Sequence, residues 1–559
     1  MRICNILSLK IISAIVVTLA LLGCQKSPNQ HDSKLFVRSE SLSVSNFSNE
    51  YSVEILSNMP WESETDVEWI TILDSEGEKG KSKIGFSVSE NNEDERKGKI
   101  RIANTEASQV IQVVQESGKS AEFYVKKDGK GKGTSWEDAT SLVNALDLAS
   151  SGNTIHIAAG TYNPTETITG GDPADDGDLT FEISKYLTLK GGYPENAQEG
   201  ATSDPKKHRT ILSGQLPSGN ETYHVVTITA PKKEVDVILD GLTISGGNAS
   251  LSSTSITINN TKFRRDYGGG IIVGNSGVEI VNSEIINNNS AKFAAGLYIF
   301  DESNVAIRES KINDNHSDSN VGGIWVKSST AYIYNTEING NSGGTAAAVH
   351  GYPDATIYMY NSTMADNKGR SYGAAFYVRK NSKGILVNSL ITNNESKSTN
   401  GGGGVMMYNN CEVDIISTTI TDNKIAGPGG GVYRRKGTNT LNIYNSIIAG
   451  NEQKKSSSNV DTYESNAQEP EITSSIIDSN TFNLDGNQIT GADFNTEEML
   501  DSSFHLVGKN NPARIYGMTV ESLKSLINKS TLELDSEYVL RDVNNDDRSG
   551  YKSMGIYAE

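Results

Sequence analysis

NSEIINN, residues 282–288, is the first of seven related heptapeptides, and the spacing of the copies decides the fold. The others are ESKINDN (309–315), NTEINGN (335–341), NSTMADN (361–367), NSLITNN (388–394), STTITDN (417–423) and NSIIAGN (445–451). Their closing asparagines, Asn288, Asn315, Asn341, Asn367, Asn394, Asn423 and Asn451, stand 27, 26, 26, 27, 29 and 28 residues apart. A fixed period in this range, with β-rich segments cut by turn residues, means a stacked solenoid.

Ahead of each copy come a pair of small residues opening an apolar strand and a second alternating strand. Apolar residues recur with period two, not at i, i+3, i+4, which excludes helical repeats. Three short strands and three turns consume one period, as in a coil of parallel β-helix whose equivalent positions lie about 4.8 Å apart. The recurring Ile or Met then fills the core. The asparagine sits at a tight turn and bonds its neighbours in the coils above and below, a structural role before a functional one.

The chain of 559 residues has room for several domains. Its 69 acidic against 50 basic residues give a net charge of −19, which argues against a nucleic-acid partner. Gly 53 against Pro 12 suits many tight turns, and Tyr 23 outnumbers Phe 12 and Trp 4. The cysteines are Cys4, Cys24 and Cys411, so no disulfide framework is expected in a mature chain. Cys411 has core-facing parity and reads as a buried small hydrophobe.

Arg2 and Lys10 precede an apolar run, Ile11 to Leu22, too short and too N-terminal for a lasting membrane span. The run ends in Leu21-Leu22-Gly23-Cys24, which resembles the lipobox of bacterial lipoproteins. The resemblance implies a signal peptide over 1–23, a lipid on Cys24, a tether over 24–34 and attachment to the membrane of the cell envelope. An outer-membrane lipoprotein is expected, on either the periplasmic or the outer face. The alternative is an ordinary cleaved signal peptide.

Residues 35–118 alternate apolar runs with polar turns, as in a small antiparallel sandwich. Trp61, Asp66-Val67-Glu68-Trp69-Ile70, Arg96-Lys97-Gly98-Lys99-Ile100 and Ile111-Gln112-Val113-Val114-Gln115 follow in order, and together they resemble a BACON module. That family is named for suspected carbohydrate binding. Trp61 and Trp69 could serve as sugar platforms, but a sandwich of this size usually spends its tryptophans on the core, which favours a spacer.

Residues 119–559 are assigned to the β-helix, with an N-terminal cap over 119–162, regular coils over 268–451 and a closing segment over 452–559. YVKKDGKGKGTSWEDA, LVNALDLA and SGNTIHIAAGTY, within 124–162, resemble the opening of right-handed β-helix proteins of the pectate-lyase-like superfamily. YLTLKGGY and VILDGLTISGGN continue the resemblance, which names a scaffold and no reaction. An amphipathic helix over about 136–149, burying Leu142, Ala145 and Leu146, would cap the open end of the core.

Function then rests on the side chains that point outward. Counted from the second small residue of each pair, the plus-one positions are apolar throughout (Ile271 to Val432), so even offsets should face solvent. Plus two reads Ile272, Tyr298, Trp325, His350, Tyr377, Met406 and Tyr433; plus four reads Gly274, Phe300, Lys327, Tyr352, Arg379, Tyr408 and Arg435. On the next strand Tyr332, Tyr334, Tyr358 and Tyr360 form a second outward group beside Arg308 and Tyr444. Aromatic rings match the apolar faces of sugars, and interleaved Lys and Arg would hold carboxylates or sulfates. A monomer that binds a polysaccharide along this face is therefore expected, and the interleaved Lys and Arg suit an anionic one. Arg434 falls on core parity, which predicts a register slip in the last coil.

A polysaccharide lyase needs a base and a cation to stabilise the resulting anion, and His350 between Lys327 and Arg379 could supply them. A hydrolase would want two opposed carboxylates; Glu279, Asp301 and Asp414 are outward candidates with nothing to pair them. GGDPADDGD (170–178) and Asp542-Val543-Asn544-Asn545-Asp546-Asp547 collect oxygen ligands of the kind calcium takes, but neither completes an EF-hand loop. No metal is assigned. An adhesin or protein-binding solenoid is the third reading.

Overall fold

The computed structural model describes residues 34–453 apart from 45, 47, 92, 119–120, 231–236, 251–253 and 374, and beyond them 460–462, 471–473, 475–477, 481–484 and 487–490. Cys24, the closing segment beyond 490 and the acidic loop 542–547 lie outside these residues. The chain forms two compact units that divide near residue 115.

The first unit pairs a four-stranded sheet (Leu35–Val37, Asn49–Ser57, Gly80–Val88, Ile70–Ile72) with a five-stranded one (Ser41–Val44, Ser108–Gln115, Arg96–Ala103, Trp61–Thr65, Glu76–Gly77). Neighbours run antiparallel except Ser41–Val44 beside Ser108–Gln115, which are parallel. Trp61 is buried in the core and donates from Nε1 to Ser82 Oγ at 3.1 Å. Trp69 is half-buried, and the Arg96 guanidinium lies 4.6 Å from its ring centroid. The ring face a sugar would need is thus taken by a cation.

The second unit is a parallel β-solenoid built from sheets of twelve, eleven and ten strands, with an additional eight-stranded ladder of two-residue strands. A representative coil runs Ile271–Gly274, Gly277–Val281, Glu284–Ile286 and Asn289–Ser290. Three main strands per coil were expected; the two-residue fourth strand follows each closing asparagine. Its shortness leaves no alternation to read in the sequence.

The heptapeptides owe their composition to the turns. Their first residues (Asn282, Glu309, Asn335, Asn361, Asn388, Ser417, Asn445) have φ of 47–52°, and their sixth (Asn287, Asp314, Gly340, Asp366, Asn393, Asp422, Gly450) φ of 55–69°. These are left-handed positions, where Asn, Asp and Gly carry the smallest penalty. The closing asparagines are buried, and each amide oxygen accepts from the coil before it: Asn341 N and Nδ2 reach Asn367 Oδ1 at 2.9 and 3.1 Å. Asn367 Nδ2 then donates to Ile338 O and to Asn394 Oδ1, both at 2.8 Å. Cys411 occupies the turn position that Ser382 holds one coil earlier; it is buried, and burial pushes its thiol up to about 11.

The capping helix is shorter than expected, Leu142–Leu148. Thr140 N donates to Tyr124 O, which holds the preceding residues on the first strand, and Ser141 caps the helix by accepting from Asn144 N at 3.2 Å. Leu142 and Ala145 are buried and Leu146 half-buried. The helix packs on Glu122–Val125 and Phe181–Ile183, each the first strand of its ladder, and on Thr154–Ala158, the second strand beside Glu122–Val125, and so covers that end of the core. No slip occurs at Arg434: it pairs in register with Met407 and is 4 % exposed.

Candidate functional site

The outward parity of the plus-two column holds, but the column is not on the surface. Ile272, Tyr298, Trp325, His350, Tyr377, Met406 and Tyr433 are all buried. They form a second apolar layer outside the sheet, packed with Ile256, Ile258 and Phe263 of the hairpin Ser255–Ile258/Thr261–Arg264, and with Phe293 and Tyr372. The cause is the segment after each two-residue strand, which folds back over the first strand of the coil. Phe293 stacks on Trp325 at 4.0 Å, Tyr298 stacks on it at 4.8 Å, and Trp325 Nε1 donates to Tyr352 O at 3.0 Å. Alternation identifies the face of a strand; it carries no information on what a distant loop lays over that face.

His350 is corrected with its column. It is 2 % exposed and stacked on Tyr377 at 4.6 Å, and neither ring nitrogen has a hydrogen-bond partner among the described residues. Burial, reinforced by the Arg379 charge, pushes it down to about 3. The ring is therefore neutral, yet a base must also reach its substrate, and this one is covered.

The second tyrosine group is largely covered as well. Tyr334, Tyr358 and Tyr360 are buried, stacked as Tyr332 on Tyr358 at 4.9 Å and Tyr334 on Tyr360 at 5.2 Å. Tyr332 is half-buried and lines an open groove of about 350 Å³ with Glu302 and Asp354. The carboxylates considered for hydrolysis are not brought together. Glu279 pairs with Arg308 at 3.0 Å, Asp301 accepts from Thr261 Oγ1, and buried Asp414, pushed up to about 6 by desolvation, accepts from Asn442 Nδ2.

The plus-four column is the accessible part. Lys327 is exposed, and Tyr352, Arg379, Tyr408 and Arg435 are half-buried. The Arg379 guanidinium lies between two rings, 4.8 Å from Tyr352 and 5.1 Å from Tyr408; Arg435 lies 5.7 Å from Tyr408 and 5.6 Å from Tyr372. Arg379 makes no ion pair among the described residues, and its Nε is buried without a hydrogen bond. Register places Arg379, Tyr408 and Arg435 in successive coils, so cation and aromatic ring alternate along the axis.

A second cationic feature lies outside the aromatic and basic columns. An open groove of about 380 Å³ is lined by His316, Ser342, Lys368, Arg370 and Lys397, with Glu395 as its one carboxylate. His316, Ser342, Lys368 and Glu395 are the residues directly after successive closing asparagines, paired coil to coil. That position was a signal available in the repeat.

The acidic loop at 170–178 has its carboxylates engaged by the protein. Asp178 takes the Arg265 guanidinium, Asp175 the Tyr223 hydroxyl, and Asp176 the side chains of Ser218 and Asn220. Among the described residues no three His, Cys, Asp or Glu side chains converge on a metal position.

The class is set by fold: a parallel β-solenoid behind a small sandwich. Residues 60–116 match the BACON family, an N-terminal domain, and residues 233–358 and 295–468 match the right-handed β-helix region. The chain thus joins a BACON domain to a right-handed parallel β-helix. No curated protein matches it. Among solved structures it is similar to the pectate lyase Pel9A (15 % identity, TM-score 0.40, covering 70 % of this chain and 86 % of that one). A Bacteroides ovatus GH5 xyloglucanase in complex with a XXXG heptasaccharide also matches, at 18 % identity and TM-score 0.16, over 29 % of this chain and 37 % of that one. At these values neither likeness bears on what this chain does.

Proposed function

We propose that this is an exported, lipid-anchored carbohydrate-interacting protein whose β-helix binds an anionic polysaccharide along Lys327, Tyr352, Arg379, Tyr408 and Arg435. The observation that carries the reading is Arg379: a guanidinium held between two tyrosine rings with no carboxylate paired to it among the described residues, in a chain of net charge −19. A sugar carboxylate or sulfate would satisfy its planar donor fork, while the rings take apolar sugar faces. Repetition from coil to coil suits a polymer lying along a rigid axis. Cys24 would carry the lipid that holds the protein at the cell envelope, and the BACON domain would act as a spacer.

Affinity electrophoresis through acidic and neutral polysaccharides tests the reading. Retardation by an acidic polymer, lost in Arg379→Ala, is the expected result; migration unaffected by any polysaccharide overturns it. An unsaturated product absorbing in the ultraviolet would turn the assignment to a lyase, and protein partners without glycan affinity would turn it to an adhesin.

A further inference from the structure

We propose that Ser342, His316 and Asp318 form a nucleophile–base–carboxylate relay that hydrolyses esters of small acyl groups on negatively charged carriers. Ser342 and His316 line the 380 Å³ groove, exposed Asp318 adjoins His316 outside that lining, and none of the three belongs to the Tyr/Arg ladder.

The geometry is that of an activated serine. Ser342 Oγ lies 2.7 Å from His316 Nδ1, and His316 Nε2 lies 3.3 Å from Asp318 Oδ1. A carboxylate only accepts, so the Asp318 contact favours the tautomer with its proton on Nε2. Nδ1 then presents its lone pair to the Ser342 hydroxyl, which is the tautomer a general base requires. All three residues sit on backbone anchored to the preceding coil: His316 N to Asn288 O, Asp318 N to Ser290 O and Ser342 N to Asn315 O, each 2.9 Å. His316 and Ser342 are register partners in adjacent two-residue strands, so their spacing is set by the ladder.

The groove also holds the charge such a reaction needs. Lys368 is the register partner of Ser342 in the next coil and makes no ion pair among the described residues. Arg370 donates to Asp318 O, which ties the relay's carboxylate residue to the cationic wall. Ser342 Oγ attacks the acyl carbon as its proton moves to His316 Nδ1, and the tetrahedral oxyanion forms beside Lys368. Collapse breaks the ester C–O bond, and the leaving alcohol takes the proton from His316. Water, deprotonated by the same nitrogen, then releases the acid and restores Ser342, so ester and water give acid and alcohol. The groove volume suits a small acyl group on a sugar, and its cations favour an acidic carrier.

The test uses the purified chain with a fluorophosphonate probe, p-nitrophenyl acetate and a chemically O-acetylated polyuronate. Labelling on Ser342 and acetate release from both substrates are expected, with hydrolysis falling at least about 100-fold in Ser342→Ala and His316→Ala. Among the described residues Ser342 Oγ bonds His316 alone, so Ser342→Ala should keep the wild-type unfolding midpoint. Asp318 is a positioning residue: Asp318→Asn should lower kcat with KM unchanged, whereas a merely structural role would leave kcat as it is. Absence of labelling, labelling that persists in Ser342→Ala, or equal hydrolysis by wild type and variants overturns the proposal. Because none of these readouts uses the ladder, their failure leaves the glycan-binding reading standing, and Arg379→Ala failure leaves this one standing.

Discussion

His350 lies flat against Tyr377, ring centroids 4.6 Å apart and planes 7° from parallel, with both imidazole nitrogens buried and without a hydrogen-bond partner among the described residues. Such a ring is stable only while neutral. Its value in the folded protein is about 3 against 6.5 when free, so the unfolded chain binds a proton that the folded one refuses. Stability is therefore unaffected above pH 6.5 and falls as pH drops from there toward 3. At about pH 4.5 this residue alone would withdraw up to about 2–3 kcal/mol. His350→Phe keeps the stack and removes the titration, so its urea midpoint should fall less between about pH 7 and 4.5 than that of wild type. Buried His224, pushed down to about 4, leaves a residual slope in the same direction.

Trp325 bridges Phe293 and Tyr298 and bonds Tyr352 O, so Trp325→Ala should be a stability variant before it is a binding variant. A loss of about 3–5 kcal/mol is expected for truncating a buried indole, read as a lowered thermal midpoint. Loss of glycan retention in that variant with an unchanged midpoint would place the indole in a binding surface and contradict its assignment to packing.

Asn367→Ala should break the ladder at its centre. It leaves Asn341 N and Nδ2 buried without the oxygen they share, at a cost of about 2–4 kcal/mol. Hydrogen exchange should accelerate first at the amide of Asn341, which loses its acceptor, and spread along neighbouring coils.

Gly401 has φ of 99°, and a Cβ there would run into the Tyr433 ring. Gly401→Ala should cost about 1–3 kcal/mol, seen as earlier proteolysis within coils 405–453 while the N-terminal coils keep their protection.

What the sequence disclosed followed from local chemistry. Left-handed turns demand Asn, Asp or Gly at fixed places, and stacking demands that the demand recur, so Asn288 through Asn451 gave away both the period and the ladder. The core columns were equally legible, because Ile271 to Val432 alternate with their outward neighbours. Exposure was not. Trp325, His350 and Tyr377 point outward as their parity required, yet Phe293 and Tyr372, from coil-linking segments with no periodicity of their own, close over them. Arg379 and Tyr408 were legible as an alternating pair, whereas His316 and Asp318 became a pair with Ser342 only once the two-residue strands set their register.

The glycan reading stands or falls on Arg379. Calorimetric titration of wild type and Arg379→Ala should use an acidic oligosaccharide and the same oligosaccharide with its carboxyls reduced to alcohols. Wild type should bind the acid at least about tenfold more tightly than the reduced sugar, as removal of one charge-assisted bidentate contact requires, and Arg379→Ala should erase that difference. Equal affinity of wild type for the two sugars, or an acid preference that survives in Arg379→Ala, would contradict the account.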